Sequence, residues 1–238
     1  MSKSIQTPYY VPVSLAHTAL LLSDVQTQIL ARFSKEVQQS YLTEIQKLLD
    51  FFRSQIALAE SAGQPGSENA FSGVPLIVHH TLPFNLNNNA FVSPYNKLAH
   101  WVKGLEEKGF FKTVNANPHT PNFSIPSSLT PPGGWGASKD EIVLGKLQPN
   151  CFASSDLLKY LHARGIRHVI LVGLTTMGSI LGSARGGADL DFHIICPREA
   201  IIDDDAEVDE FLMTKVLPKF IDVVQMEDVL ALGREAGS

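Results

Sequence analysis

Three polar residues of this 238-residue chain stand where an apolar run stops: Asp24 after TALLLS, Lys146 after EIVLG, and Ser179 a few residues beyond HVILVG. A buried carboxylate beside a lysine is held ionised and can exchange protons. A hydroxyl at the start of a helix lies near exposed backbone N–H groups that can hold an oxyanion. From spacing alone the three residues outline a site for proton transfer. Other reactive types read differently. Cys151 and Cys196 are too few for a disulfide framework or a cysteine-built zinc site, and both read as packed thiols. His79 and His80 are adjacent on one strand and so face opposite sides, a poor geometry for a shared metal, and no metal site is expected. GLTTMG (173–178) lacks the lysine of a nucleotide phosphate loop and the glycine spacing of a dinucleotide fold. The acidic run Asp203–Asp205 reads as a solvated loop and helix cap.

Such residues need a scaffold, and short apolar runs alternating with helical patterns supply one: repeated βα units around a mostly parallel sheet. Six strands are predicted, at Thr18–Ser23, Pro75–His80, Glu141–Lys146, His168–Gly173, Phe192–Cys196 and Ile221–Gln225. Val37, Tyr41, Ile45, Leu48, Phe52 and Ile56 form one stripe of a helix from Ser34 to Ala62. Further helices are expected from Pro94 to Gly109, after a Ser154 or Ser155 cap up to Gly165, over Ile180–Leu190, and after Asp205. The whole chain, 1–238, reads as a single domain with its core at about 14–232 and an irregular Pro/Gly-rich excursion at 110–140. Open parallel sheets bind ligands beyond the carboxyl ends of their strands, where Asp24, Lys146 and Ser179 fall.

Composition narrows the function classes. With 19 basic and 24 acidic side chains the formal charge is −5, which disfavours a phosphate backbone as partner, so no nucleic acid is expected. No apolar run reaches the roughly 18 residues of a membrane span, and Met1–Pro12 lacks the pattern of a signal peptide. A cytoplasmic protein without membrane association is expected.

Three segments carry a resemblance: ALLLSDVQ (19–26), EIVLGKLQPNCFASSDLLKYLHARGI (141–166) and HVILVGLTTMGSILGSARGGAD (168–189). In that order they resemble the isochorismatase-like superfamily, the cysteine hydrolases. The resemblance runs from about Ala19 to Gln225 and is weakest across Pro83–Lys139. It implies a three-layer α/β/α sandwich, Rossmann-like, with a six-stranded parallel sheet. It also implies a hydrolase with no cofactor and a small-molecule substrate. The family's aspartate falls on Asp24, its lysine on Lys146 and its nucleophilic cysteine on Ser179. Its cis peptide falls on Leu174–Thr175, which would aim the backbone N–H groups of Thr175 and Ser179 at a substrate oxygen. His80, Leu82, Trp135, Cys151, Phe152 and Met177 are the candidate pocket residues.

Serine at position 179 departs from the family, because a hydroxyl needs a stronger adjacent base than a thiol does. Isochorismatases also lack the thiol and use the aspartate as proton donor to a vinyl ether, yet their substrate-binding glutamine before a proline is here Leu82 before Pro83. Two classes of function therefore stand. One is a hydrolase of a small amide, carbamate or vinyl ether compound, with Asp24 and Lys146 handling protons. The other is a small-molecule-binding or assembly protein that kept the fold after losing the thiol. Relatives in the superfamily are commonly oligomeric, and a homo-oligomer, dimer or tetramer, is expected. The excursion around Trp135 would either cross the subunit boundary or lid the pocket.

Overall fold

The computed structural model describes residues 12–61, 73–82, 92–107, 124–153 and 155–233. β1 (Thr18–Ser23) is buried at all positions, as its unbroken apolar run requires of a strand covered on both faces. A one-turn α1 (Thr27–Leu30) leads to the long α2 (Lys35–Ser61). β2 (Leu76–Thr81), α3 (Leu98–Glu107), β3 (Glu141–Gly145), α4 (Leu157–Ala163), β4 (His168–Leu174) and α5 (Leu181–Asp189) follow. The chain then adds β5 (His193–Pro197), β6 (Ile201–Ile202), α6 (Ala206–Phe211), β7 (Asp222–Val224) and α7 (Met226–Leu230).

The strand order is β3-β2-β1-β4-β5-β7, with β6 beside β4, and every pairing is parallel. The chain builds outward from β1 to β3, then crosses back to the other side of β1 with β4. Strand order thus reverses between β1 and β4, and the crevice beyond their carboxyl ends is where ligands bind in such sheets.

Alternation along the strands divides the core into two layers. Leu20, Leu22, Ile77, Ile170 and Val172 pack under the α2 stripe of Tyr41, Ile45, Leu48, Phe52 and Ile56. Ala19, Leu21, Leu76, Val78, Val169 and Leu171 pack on the other side against Leu157, Leu161, Ile180 and Ala184. The architecture is the expected three-layer α/β/α sandwich.

Departures from the sequence reading are local. Val37, first in the predicted stripe, is exposed in the first turns of α2, ahead of the buried run. β6 adds a two-residue seventh strand, and α5 is preceded by a π turn at Thr176–Ile180. Pro94–Lys97 precede α3 as turns, Asn96 Oδ1 accepting from the Leu98 N–H at 2.9 Å. In α5 a side chain at Gly187 would come within 2.6 Å of Ile194 and 2.9 Å of Phe152, and one at Gly186 within 2.5 Å of Asn150. Asp205 caps α6 as expected, accepting from Glu207 N and Val208 N. The Ser154 cap, the loop after Ser61, Gly109 and positions 110–123 of the excursion lie outside the described residues. Among the described residues no helix is long and apolar enough to cross a membrane.

Candidate active site

Asp24 follows β1 directly and has φ 59°, a left-handed conformation that aspartate adopts more readily than most residues. Its N–H donates to His80 O (2.9 Å) and its carbonyl accepts from Gln26 N (2.8 Å), which fixes the turn. On the neighbouring strand Gly173 has φ 138°, and any β-carbon there would lie 1.9 Å from the Ser23 carbonyl oxygen. Only glycine allows β1 and β4 to end this close together. The Leu174–Thr175 peptide is cis, where the resemblance puts one, and the following π turn carries Ser179.

Lys146 extends from the end of β3, its N–H donating to Thr81 O at 2.9 Å. Its side chain crosses the end of β2 to reach β1 and is fully buried. Nζ lies 2.9 Å from Asp24 Oδ2. It also lies 2.8 Å from Ser23 Oγ, 2.8 Å from Pro149 O and 2.6 Å from Ser179 Oγ. Ser179 Oγ reaches Pro149 O at 2.9 Å and is hydrogen-bonded to Ser23 Oγ. Cys151 Sγ completes the cluster, 3.1 Å from Ser23 Oγ and 3.7 Å from Lys146 Nζ. The structure thus brings together Asp24, Lys146 and Ser179 from three separate strand ends.

Burial raises the Asp24 carboxyl to about 6 against the opposing pull of Lys146. A group titrating there can both accept and return a proton near neutral pH. The buried Oδ1 of Asp24 has no hydrogen-bond partner among the described residues. His80 lies on the same side. Burial and the Lys146 charge push its imidazole down to about 3, so it is neutral.

The remaining predicted residues divide. Thr175, at the start of the π turn, and His80 flank the cluster, and Cys151 belongs to it. Cys151 is buried as expected of a packed thiol, but its sulfur faces a hydroxyl and an ammonium as well as the apolar core. Leu174 has its side chain in the α2-side core. So does Leu82, whose backbone is clamped both ways by the Gln26 amide at 3.0 and 2.8 Å. Phe152 stacks on Phe192 at 5.7 Å as part of the opposite core layer. Met177 is exposed, its N–H bound to Asp203 Oδ2 at 2.8 Å. Trp135 is not brought to the cluster. It packs in the α2-side layer with its ring edge-on to His79 at 5.0 Å, so this part of the excursion covers its apolar surface on its own chain. Sequence reasoning missed Ser23 altogether. A serine closing an otherwise apolar strand, next to the aspartate, was the available signal. Among the described residues no group of three or more His, Cys, Asp or Glu side chains could hold a metal ion.

A parallel sheet whose order reverses at a buried aspartate, lysine and serine defines the kind of domain. The family model for the isochorismatase domain matches residues 88–228, more than half of the chain, and the protein belongs to that family. Among curated proteins, the maleamate amidohydrolase of Pseudomonas putida KT2440 is 32% identical over 90 residues, 38% of this chain and 42% of that protein. An uncharacterized isochorismatase family protein of Escherichia coli O157:H7 is 26% identical over 111 residues, 44% of this chain and 59% of that one. The alignments therefore span less than two thirds of these relatives. The fold matches a crystal structure of a cysteine hydrolase from Pseudomonas syringae pv. phaseolicola with a TM-score of 0.66 at 17% identity, covering 98% of this chain and 99% of that one.

Proposed function

We propose that the protein hydrolyses a small carboxamide or carbamate-like compound without a cofactor, using Asp24 and Lys146 to move protons and Ser179 in place of the family's cysteine. The observation that carries this reading is the lysine at the centre of the cluster, 2.9 Å from the aspartate and 2.6 Å from the serine hydroxyl. The likeness to a maleamate amidohydrolase supports an amide as the bond broken. Ser179 Oγ attacks the carbonyl carbon while its proton passes to Asp24, and the backbone N–H groups of Thr175 and Ser179 receive the developing oxyanion. The C–N bond breaks, Asp24 returns the proton to the departing amine, and water hydrolyses the ester. The protein would work in the cytoplasm as a homo-oligomer; a strict 26.0 kDa monomer in light scattering would overturn that part.

A second chemistry draws on the Asp24 carboxyl at about 6: it is protonated often enough to act as an acid toward a vinyl ether, with no covalent step. The test is a screen of small amides, carbamates and isochorismate, followed by Asp24→Ala and Ser179→Ala. Hydrolysis lost in both variants supports the serine nucleophile. Loss in Asp24→Ala alone favours the acid mechanism. Wild-type turnover in Asp24→Ala overturns the assignment, and binding without conversion by the unaltered chain favours a ligand-binding or assembly protein.

A further inference from the structure

Lys146 Nζ has four oxygens at hydrogen-bonding distance: Asp24 Oδ2, Ser23 Oγ, Pro149 O and Ser179 Oγ. An ammonium has three N–H donors. Asp24 Oδ2, when ionised, and Pro149 O can only accept, so a charged lysine that serves both has one proton left for two hydroxyls. Ser23 and Ser179 therefore cannot both be held by the ammonium, and their Oγ atoms are bonded to each other. The hydroxyl not served by lysine is bonded to the one that is, and Ser179 can rest its hydrogen on Pro149 O, so the oxygens form one continuous chain with more acceptors than lysine protons. A surplus of this kind, in a fully buried cluster, is the wiring of a proton path.

We propose that Ser23 is the positioning residue of a relay running from Ser179 through Ser23 and Lys146 to Asp24, and that this relay is what lets a hydroxyl work where relatives use a thiol. The proposal rests on the hydrolase reading above and supplies the activation step it lacks. As Ser179 Oγ attacks, Nζ gives a proton to Asp24 Oδ2, the lone pair so freed takes the proton of Ser23 Oγ, and Ser23 Oγ takes that of Ser179. The net transfer is one proton from Ser179 to Asp24, with the charge of Lys146 unchanged. Ser–Lys pairs activate hydroxyls on unrelated folds, so the chemistry has precedent in kind. A thiol ionises far more easily than a hydroxyl and has no need of the relay. Ser23 should therefore matter for an oxygen nucleophile and hardly at all for a sulfur one.

The experiment uses methanesulfonyl fluoride on the full chain, read by peptide mass spectrometry, and needs no substrate. Ser179 Oγ forms a bond to sulfur, the S–F bond breaks, fluoride leaves, and the hydroxyl proton travels to Asp24. Ser179 should be sulfonylated, and Ser23→Ala should slow this at least 50-fold. In the Ser179→Cys background the same Ser23→Ala change should slow iodoacetamide alkylation of the introduced thiol less than 5-fold. Equal losses in the two backgrounds would mean a merely structural serine and overturn the proposal. So would sulfonylation unaffected by Ser23→Ala, or modification at Cys151 with Ser179 untouched. A measurement on the unaltered chain stands beside the variants: in mixtures of light and heavy water, the sulfonylation rate should bow downward with deuterium fraction, as transfer of several protons requires, and a straight line overturns the relay. If Ser179 reacts as described while no amide or carbamate is hydrolysed, the relay stands and the proposed substrate class falls.

Discussion

Two buried ionic clusters sit on opposite faces of the same sheet, separated by the alternation of one dipeptide. His79 faces α2, where its Nε2 meets Glu141 Oε1 at 2.8 Å and Arg53 grips the same carboxylate through two nitrogens at 2.8 and 2.9 Å. No buried atom of these three residues lacks a partner. His80 faces the other way, toward Asp24 and Lys146, where the lysine is oversubscribed and Asp24 Oδ1 has no partner among the described residues. The ingredients match: a carboxylate, a cation and a histidine. The outcomes are opposite. At Glu141, burial is outweighed by His79 and Arg53 and the carboxyl is lowered, whereas at Asp24 burial outweighs Lys146 and the carboxyl rises to about 6. A buried polar cluster that closes on itself holds a fold together, and one with atoms to spare is free to take up a ligand.

Substitutions can break that contrast. The largest effect is expected from Lys146→Met, which should lower turnover about a thousandfold and also destabilise the fold by about 3 kcal/mol, since it leaves Asp24 buried without its counter-charge. Arg53→Met should cost a similar about 3 kcal/mol in urea unfolding yet leave kcat within twofold. A large drop in kcat there would erase the distinction between the clusters.

The clusters should also respond to acid in opposite senses. A carboxyl raised from 3.8 to about 6 favours the folded state below its unfolded value and loses that favour as pH climbs through about 6. The unaltered protein should therefore gain about 2 kcal/mol on Asp24→Asn between pH 7 and pH 4. Glu141 is lowered, so its contribution is present above the unfolded value and disappears as pH falls. Measured against Glu141→Gln, the unaltered protein should lose ground over the same interval. Parallel shifts in the two comparisons would contradict the contrast. The smallest effect is expected from Trp135→Phe, about 1 kcal/mol of stability through its edge contact with His79. KM should not move, and a change of threefold or more would return Trp135 to the pocket.

The strands and the three strand-end residues were legible because each rests on a local pattern: an unbroken apolar run, then one polar residue. The alternation placing His79 and His80 on opposite faces was legible for the same reason. Ser23 was not, since a serine at a strand end satisfies no periodicity, and its place in the cluster appears only when β3 and the turn after β4 deliver Lys146 and Ser179 to it. Trp135 was misdirected because its loop has no repeating pattern, so nothing local distinguishes its own core from a neighbour's or from a pocket. The burial of Cys151 follows from residue type, but its polar neighbours, Ser23 and Lys146, come from β1 and the end of β3.

Lys146 hangs from β3, the end strand in the described sheet order and less buried than β1 or β4. Strands in that position unzip first in local opening fluctuations, well below the free energy of global unfolding. Amide hydrogens of Ile142–Leu144 should therefore exchange with solvent sooner than those of Leu20–Leu22. Each time the edge frays, the ammonium withdraws while Asp24 and Ser179 stay anchored on the central strands. Under the proposed function, the fraction of molecules ready to react would follow the breathing of one peripheral strand, and amide exchange there would gauge how often the site is assembled.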